Sequence, residues 1–281
     1  MSEATFAVED LFDGYEISSD KAGPKYLILV CIHGNETCGV EAILALRDSG
    51  ELFNLVQKGA LTILLANKQA YLSKTRIVNR DLNRSIGKLD LSHSYEKERA
   101  RLVASLIEKA DYILDIHSTS LPSPSHAIPC HNNTSELLAS SLCIQYMVTK
   151  LAHLTVEGGT TMDYAKSVNT CAVTVECGQH DDKSAIETAK NCIRNFLQDQ
   201  QLIQCKLQLE CKGSIEVKEG FQFIQKFKGF DFIKYKQQVA HDSMGQILCP
   251  FKQGAYIVMP NLNPQIGEEA FFWAVKTSSD S

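Results

Sequence analysis

Along its first two-thirds, the chain alternates short runs of apolar, β-forming residues with longer segments of helical periodicity. Short apolar runs are typical of buried strands, and apolar residues three and four positions apart are typical of amphipathic helices. Strands are expected at 26–32, 61–66, 111–117 and 171–176. Helices are expected at 38–47, 94–110, 135–152 and 183–198. Because alternating strands and helices usually build parallel sheets, this order predicts an α/β fold with a mostly parallel or mixed sheet and helices on both faces.

The pattern changes near residue 200, where the polar stretch QDQQLIQ (198–204) is followed by a region without long helical periodicity. This region contains short strand-like segments separated by glycine, aspartate and proline. We therefore predict two domains, a larger one at 1–204 and a small β-rich one at 205–281.

Composition excludes several classes of protein. The 281 residues are 44% hydrophobic and 22% charged, with a net charge of −5, which does not indicate a nucleic-acid groove. The apolar run at 26–32 is far shorter than the roughly 20 residues of a membrane span. The opening MSEATFAVEDLFDGY is acidic and unlike a signal peptide. The ten cysteines are scattered without a CxxC pair, which favours reduced, buried thiols and a cytoplasmic location.

Polar side chains follow three of the predicted strands. His33 and Glu36 follow the first strand, His117 ends the third and Glu176 ends the fourth. Ligands of open α/β sheets bind at the carboxyl ends of the strands, so these side chains are expected to meet there. Two histidines and one carboxylate form a common catalytic zinc set, and a surplus carboxylate could accept a proton from water. Taken singly, each residue also fits a structural role, as a hydrogen-bonded histidine or a carboxylate at a helix N-terminus.

The segment KTRIVNRDLNRS (74–85) places Arg76, Arg80 and Arg84 four residues apart, with Asp81 and Asn83 between them. On a helix these arginines would repel one another, so we expect a loop. A guanidinium can hold a carboxylate through two hydrogen bonds or polarise a carbonyl. The alternative is a solvated basic turn that Asp81 neutralises.

Four motifs in this order, HGNE after a strand, NRDLNR, DIHST and VECG, resemble the succinylglutamate desuccinylase/aspartoacylase family. The tail YIVMPNLNPQIGEEAF (256–271) resembles the family's C-terminal segment, so the similarity spans most of the chain. The resemblance implies a zinc carboxypeptidase-like fold. It also implies zinc-dependent hydrolysis of an N-acyl amino acid or a similar small amide that carries a carboxylate, with an ester substrate left open.

The resemblance also implies roles for matching positions. His33, Glu36 and His117 would hold one zinc ion per chain. Glu176 would act as the general base and would then protonate the departing amine.

The arginine-rich segment would serve the substrate. In this family's pattern, Arg76 would stabilise the oxyanion, and Asn83 and Arg84 would bind the substrate carboxylate. Asp81 would orient the arginines.

The chain departs from the pattern before the catalytic glutamate. Aspartoacylase has a tyrosine and an arginine there, whereas this chain has Tyr164 and Lys166 at positions that do not align clearly. Acetylaspartate is therefore not assumed as the substrate, and the roles of both residues stay open.

Two alternatives remain at this stage. Cys177 and His180 could form a cysteine-based site, although neighbours in sequence rarely form a catalytic pair. The chain could also be a non-catalytic zinc-binding or small-molecule-binding module, with His126, His131 or His180 as a fourth ligand. The C-terminal region could cover the active-site mouth or mediate oligomerisation, with a homodimer as one option.

Overall fold

The computed structural model describes residues 13–88, 94–130, 133–151, 159–198 and 207–277. The strands are β1 (Gly14–Ser18), β2 (Lys25–Val30), β3 (Ala60–Leu65), β4 (Tyr112–Thr119), β5 (His126–Pro129), β6 (Tyr146–Thr149), β7 (Cys171–Gln179), β8 (Leu207–Glu216), β9 (Gln222–Phe223), β10 (Phe232–Ile233), β11 (Gln238–Asp242), β12 (Gly245–Leu248), β13 (Ala255–Val258) and β14 (Glu269–Lys276). The helices are α1 (Cys38–Asp48), α2 (Glu51–Leu55), α3 (Lys68–Leu72), α4 (Tyr95–Ile107), α5 (Asn133–Ser141), α6 (Thr161–Ser167) and α7 (Lys183–Leu197), with a 3-10 helix at Leu82–Arg84.

Eleven strands form one large mixed sheet in the order β1-β3-β2-β4-β7-β5-β6-β8-β14-β13-β10. The four strands β3, β2, β4 and β7 run parallel, and β5 pairs with β7 in the antiparallel sense. The strands β12, β11 and β9 form a separate three-stranded sheet. The predicted α/β fold with a mixed sheet and additional C-terminal strands is therefore confirmed.

Strand β2 shows why helices cover both faces of the sheet. Its alternate residues Ile28 and Val30 enter a large apolar cluster with residues of α1 and α7. Leu27 and Leu29 point to the other face and pack with residues of α4 and α6. Because a strand buried on both faces must be apolar at every position, the continuous apolar run at 26–32 reflects its central place in the sheet.

Side-chain caps start several of the helices, among them α4 and α6. Ser94 accepts a hydrogen bond from the backbone of Lys97 and starts α4. Thr160 and Asp163 form a capping box that starts α6. The cap leaves the backbone N–H of Thr161, the first residue of α6, available to a partner outside the helix.

The predicted helix at 135–152 is wrong beyond Ser141. Cys143 has a left-handed φ of 60°, and the chain then enters strand β6 between β5 and β8. Pairing with both neighbours outweighs the helical periodicity of this segment. Strands β1, β5 and β14 were not predicted.

The predicted domain boundary between residues 204 and 205 lies outside the described residues. After it, β8, β14, β13 and β10 extend the large sheet from β6. The C-terminal region also has an apolar cluster that includes Phe227, Phe271 and Trp273. The division into two domains stays a prediction.

In the described ranges, no helix has the length and apolar character needed to cross a membrane. The nine described cysteines are all free, and all but Cys143 are buried.

Candidate metal centre

The loop after β2 carries His33 and Glu36 to the carboxyl end of the sheet. Gly34 is required in this loop, because a Cβ atom there would lie 2.1 Å from the backbone carbon of Ala70. The backbone N–H of Gly34 also donates to the carbonyl of Arg76 at 3.0 Å. The HGNE loop is thereby joined to the arginine-rich segment.

Three side chains converge at this end of the sheet. His33 Nδ1 lies 2.7 Å from Glu36 Oε1, and His117 Nδ1 lies 2.8 Å from Glu36 Oε2. One potential ligand atom from each residue lies within 4.8 Å of the others, and all three residues are buried. The structure therefore brings together the three predicted metal ligands.

Each histidine turns its other ring nitrogen towards a second carboxylate. His33 Nε2 lies 3.1 Å from Asp81 Oδ1, and His117 Nε2 lies 3.1 Å from Asp115 Oδ2, the latter without the alignment of a hydrogen bond. Metal-binding histidines commonly face a carboxylate in this way, which orients the ring and strengthens the ligand. Two histidines, one carboxylate and these outer partners fit a zinc ion.

The carboxylate of Glu36 and the two histidines stabilise each other's charged forms. Burial alone would raise the pKa of Glu36, but His33 and His117 outweigh it and hold that pKa well below its usual value. Burial alone would lower the pKa of His117, but Asp115 and Glu36 raise it well above its usual value. A divalent cation would satisfy the same buried carboxylates.

Glu176 lies beside this cluster on β7, where it pairs in register with His117 of β4. Its side chain is buried, and Oε2 has no hydrogen-bond partner. Burial raises the pKa of Glu176 to about 7, although His117 opposes the rise. A buried carboxylate with a free oxygen at a cavity wall is suited to accept a proton.

Arg76 covers the cluster from the solvent side, with half of its side chain exposed. Its guanidinium lies 2.9 Å from His33 Nε2, 3.3 Å from Glu36 Oε1 and 3.4 Å from Asp81 Oδ2. Asp81 is thus positioned to orient both Arg76 and His33.

The segment that carries Arg76 is anchored by Glu96, which the sequence analysis did not single out. Glu96 is fully buried on α4, and its Oε1 accepts backbone hydrogen bonds from Val78 at 2.7 Å and from Asn79 at 3.0 Å. The segment around Arg76 is therefore a loop, as expected, and Glu96 holds its backbone in place.

Asn83 and Arg84 lie on the 3-10 helix next to the cluster. Asn83 Oδ1 accepts a hydrogen bond from the backbone N–H of Thr161 at 3.0 Å. The Thr161 hydroxyl shares its one proton between Asn83 Oδ1, at 3.1 Å, and the Asp115 carboxylate. The Arg84 guanidinium donates to the carbonyl of Asn83 at 2.9 Å. These contacts link the predicted carboxylate-binding pair to the outer partner of His117.

Asp115 and Thr161 were missed by the sequence analysis. Asp115 could have been found, because it precedes His117 by two residues and therefore shares its strand face. No local pattern marks Thr161, whose role depends on where α6 packs.

Some candidates from the sequence do not join the three-residue cluster. Tyr164 bonds to Glu108 through its hydroxyl, Lys166 is exposed on α6, and neither residue lines the cavity. His126 is buried with Nδ1 3.0 Å from the carbonyl of Pro124, and its ring packs on Phe230.

The other possible fourth ligands also do not join the three-residue cluster. His180 lines the cavity, and its Nδ1 lies 2.9 Å from the Ser118 hydroxyl. His131 lies outside the described residues. Cys177 faces the large apolar core, and a hydrogen bond with Cys38, together with burial, raises the pKa of its thiol well above the usual value. Cysteine-based catalysis at this position is therefore disfavoured.

The cluster opens into a cavity of about 480 Å³ that also reaches the C-terminal strands. Met259, Glu268, Glu269 and Phe272 contribute to its wall. A volume of this size suits a small-molecule ligand.

Comparison with known families agrees with the motifs. The family described as "Succinylglutamate desuccinylase/Aspartoacylase catalytic domain" matches residues 22–199. The chain belongs to the succinylglutamate desuccinylase/aspartoacylase family. The resemblance seen in the sequence is thereby confirmed, and it indicates a hydrolase of the deacylase type.

Several solved structures have the same fold as this protein. A succinylglutamate desuccinylase from Vibrio cholerae superposes with a TM-score of 0.78 at 20% identity, covering 94% of this chain and 85% of its own. The corresponding protein of Vibrio parahaemolyticus gives 0.77 at 18% identity, covering 95% and 86%. Murine aminoacylase 3 gives 0.63 at 19% identity, covering 92% and 97%. No curated protein sequence gave a significant match.

Proposed function

We propose that this protein is a zinc-dependent hydrolase that cleaves the acyl-amide bond of an N-acyl amino acid or a similar small, carboxylate-bearing amide. The observation that carries the proposal is the convergence of His33, Glu36 and His117 directly beside the buried carboxylate of Glu176. Three ligands leave coordination positions for water and substrate, which is typical of catalytic zinc sites.

The ligands and their outer partners prepare the site for the metal. His33 and His117 offer Nδ1, while the carboxylates of Asp81 and Asp115 lie 3.1 Å from the opposite ring nitrogens. When bound, zinc supplies Lewis acidity, which polarises the substrate carbonyl and makes water more acidic.

Glu176 performs the proton transfers in this proposal. Its carboxylate accepts a proton from the attacking water and then delivers that proton to the departing amine nitrogen. The free Oε2 can accept this proton without first breaking a hydrogen bond within the protein.

Arg76 and the 3-10 helix act on the substrate itself. The half-exposed guanidinium of Arg76 can turn from Asp81 towards the oxygen on which negative charge develops. Arg84, held beside Asn83, binds the carboxylate of the amide.

The test compares the wild type with Glu176→Gln and with Glu187→Gln, a control in which an exposed glutamate of α7 is changed. We expect about one zinc per chain in all three proteins, and amine release from N-acyl amino acids by the wild type and the control only. Zinc in every protein without release from any would favour a non-catalytic binding module. Zinc binding by none of them, even after reloading, would contradict the assigned metal ligands.

A further inference from the structure

We infer, on the basis of the proposed function, that the substrate carries a single carboxylate, bound at Arg84, and an apolar group that packs in the far half of the cavity. The far half is the part of the cavity wall formed by Ile128, Leu151, Met259 and Phe272. The inference names the substrate class by its charge and by the polarity of its second substituent.

The order of strands places the far half beyond Glu176. The sheet runs from β4, which carries His117, through β7, which carries Glu176, to β5, which carries Ile128. Because neighbouring strands lie about 4.8 Å apart, β5 is about 10 Å from the strand of the metal ligand. Thr174, which precedes Glu176 on the same face, pairs in register with Ile128. The cavity floor is therefore continuous from Glu176 to the apolar wall.

The wall is apolar because it is one side of a core cluster. Ile128, Leu151 and Phe272 belong to a cluster with residues of β6, β8, β13 and β14, and Met259 packs against it. Three of the four are almost fully buried, whereas Met259 is half-buried. A bound apolar group would extend this cluster, and each methylene it buries improves binding about fourfold.

The opposite end of the cavity holds its positive charge. Among the described residues of the wall, the side chains that are cationic at neutral pH irrespective of environment are Arg76 and Arg84. Arg76 lies against Glu36 and Asp81, which leaves Arg84 as the cation best placed for a substrate carboxylate. The Arg84 guanidinium donates to the backbone carbonyl of Asn83. The side chain of Asn83 is connected through the Thr161 hydroxyl to Asp115 on β4, so this pair lies on the side of the cavity opposite the far half.

Two carboxylates approach the far half. Glu269 begins β14, the strand of Phe272, and Glu268 precedes it. Glu268 Oε2 accepts hydrogen bonds from the backbone of Gln265 at 2.9 Å and from the Asn261 side chain at 3.4 Å, which hold this carboxylate at the cavity wall. A second substrate carboxylate in this half would meet like charge and an apolar wall. It would therefore bind poorly.

The first experiment measures kcat/KM of the zinc-loaded enzyme for a matched panel. N-acetylleucine and N-acetylphenylalanine place the apolar group on the amino acid, N-hexanoylglycine places it on the acyl group, and N-acetylaspartate and N-succinylglutamate carry additional carboxylates. We expect at least one apolar arm to exceed both polycarboxylates by more than about tenfold, since several methylenes are buried. If the N-acetyl amino acids are the better substrates, the amino-acid side chain lies against Phe272. If N-hexanoylglycine is better, the acyl group lies there.

The second experiment uses paired variants on one strand. Phe272 faces the cavity, whereas Phe271 is fully buried in the C-terminal cluster on the other face. Phe272→Leu should lower kcat/KM for the apolar substrates about fivefold or more while that for the polycarboxylates changes little. Phe271→Leu should leave the ratio between the two classes unchanged.

The third experiment tests charge. The double variant Glu268→Gln/Glu269→Gln should raise kcat/KM for N-acetylaspartate several-fold relative to N-acetylleucine. Glu219→Gln, an exposed glutamate outside the cavity wall, should not. An unchanged ratio in the double variant would contradict the electrostatic part of the inference.

Failure of the inference is distinguishable from failure of the proposed function. Hydrolysis that favours the polycarboxylates would overturn the inference and leave the hydrolase intact. If no member of the panel is hydrolysed, calorimetric titration of the zinc-loaded Glu176→Gln protein with N-acetylleucine and N-acetylaspartate still decides the inference. Tighter binding of N-acetylaspartate would overturn it, and tighter binding of N-acetylleucine would support it.

Discussion

The two ends of the cavity are built in different ways. The polar end of the cavity carries the His33, Glu36 and His117 cluster, and short hydrogen bonds and ion contacts hold its side chains in place. His33, for example, lies within 3.1 Å of Glu36, Asp81 and Arg76. At the far half, Ile128 and Phe272 are held by packing in a core cluster and offer no directional contacts. Under the proposed function, the comparison teaches that the reaction chemistry and the choice of the apolar substituent would depend on separate elements. Changes at one end should therefore leave the property of the other end intact.

The largest expected effect concerns Arg76. Because loss of one oxyanion donor typically lowers turnover about 10²–10³-fold, Arg76→Ala should reduce kcat by this factor for every substrate. The ratio of kcat/KM between apolar and polycarboxylate amides should not change. Arg101→Ala, an exposed arginine of α4, is the control. Near-normal turnover would contradict the role of Arg76. A changed ratio of kcat/KM between apolar and polycarboxylate amides would show that the two ends of the cavity do not act independently.

Asp115 gives a test that does not depend on turnover. Replacing the partner of a metal-binding histidine typically weakens metal binding about 10–100-fold, so Asp115→Asn should raise the zinc Kd by that factor. The measurement is competition with a chromophoric chelator. The control is Asp111→Asn, which changes a carboxylate just before the start of β4, and it should retain the wild-type Kd. Equal zinc affinity in both variants would remove Asp115 from the metal site.

His126 lies on β5, between the polar end and the far half, and burial lowers its pKa to about 4. Because its pKa is depressed in the folded state, the unfolded chain takes up the proton first, and stability falls as the pH drops below about 6.5. His126 should therefore account for about 2 kcal/mol of the unfolding free energy lost between pH 7 and pH 5.

Urea unfolding at both pH values checks this expectation. His126→Asn should show a loss smaller by about that amount, and the exposed His241→Asn should behave as wild type. An unchanged pH dependence in His126→Asn would mean that His126 does not cause the loss of stability in acid that its burial predicts.

The smallest expected effect concerns Thr161, which links Asn83 to Asp115. Thr161→Val keeps the volume but removes the hydroxyl. A lost hydrogen bond is worth about 1 kcal/mol, so KM should rise about fivefold with a smaller change in kcat. Thr188→Val on α7 is the control, since that hydroxyl donates to the carbonyl of Ser184 within its own helix. A fall in kcat without a change in KM would place Thr161 with the metal instead of the substrate carboxylate.

Sequence patterns were reliable where neighbours in the chain carry the information. The run before His33 predicted β2, and the periodicity of residues 94–110 predicted α4, because such patterns act within a few residues. Strands β5 and β6 have four residues each, and the pairing of β5 with β7 and of β6 with β8 stabilises them. Such short strands have too little local signal to outweigh a helical pattern.

The sequence by itself indicated the family, the α/β fold and the residues that meet at the candidate metal site. The last of these could be predicted because the carboxyl ends of parallel strands converge at one edge of the sheet. Only the tertiary structure decided which side chains complete that site and what the rest of the cavity offers. Thr161 reaches Asp115 and Asn83 through helix packing, and Phe272 meets Ile128 across strands more than a hundred residues apart in the sequence. These contacts depend on strand order and helix packing, which no local pattern of residues encodes.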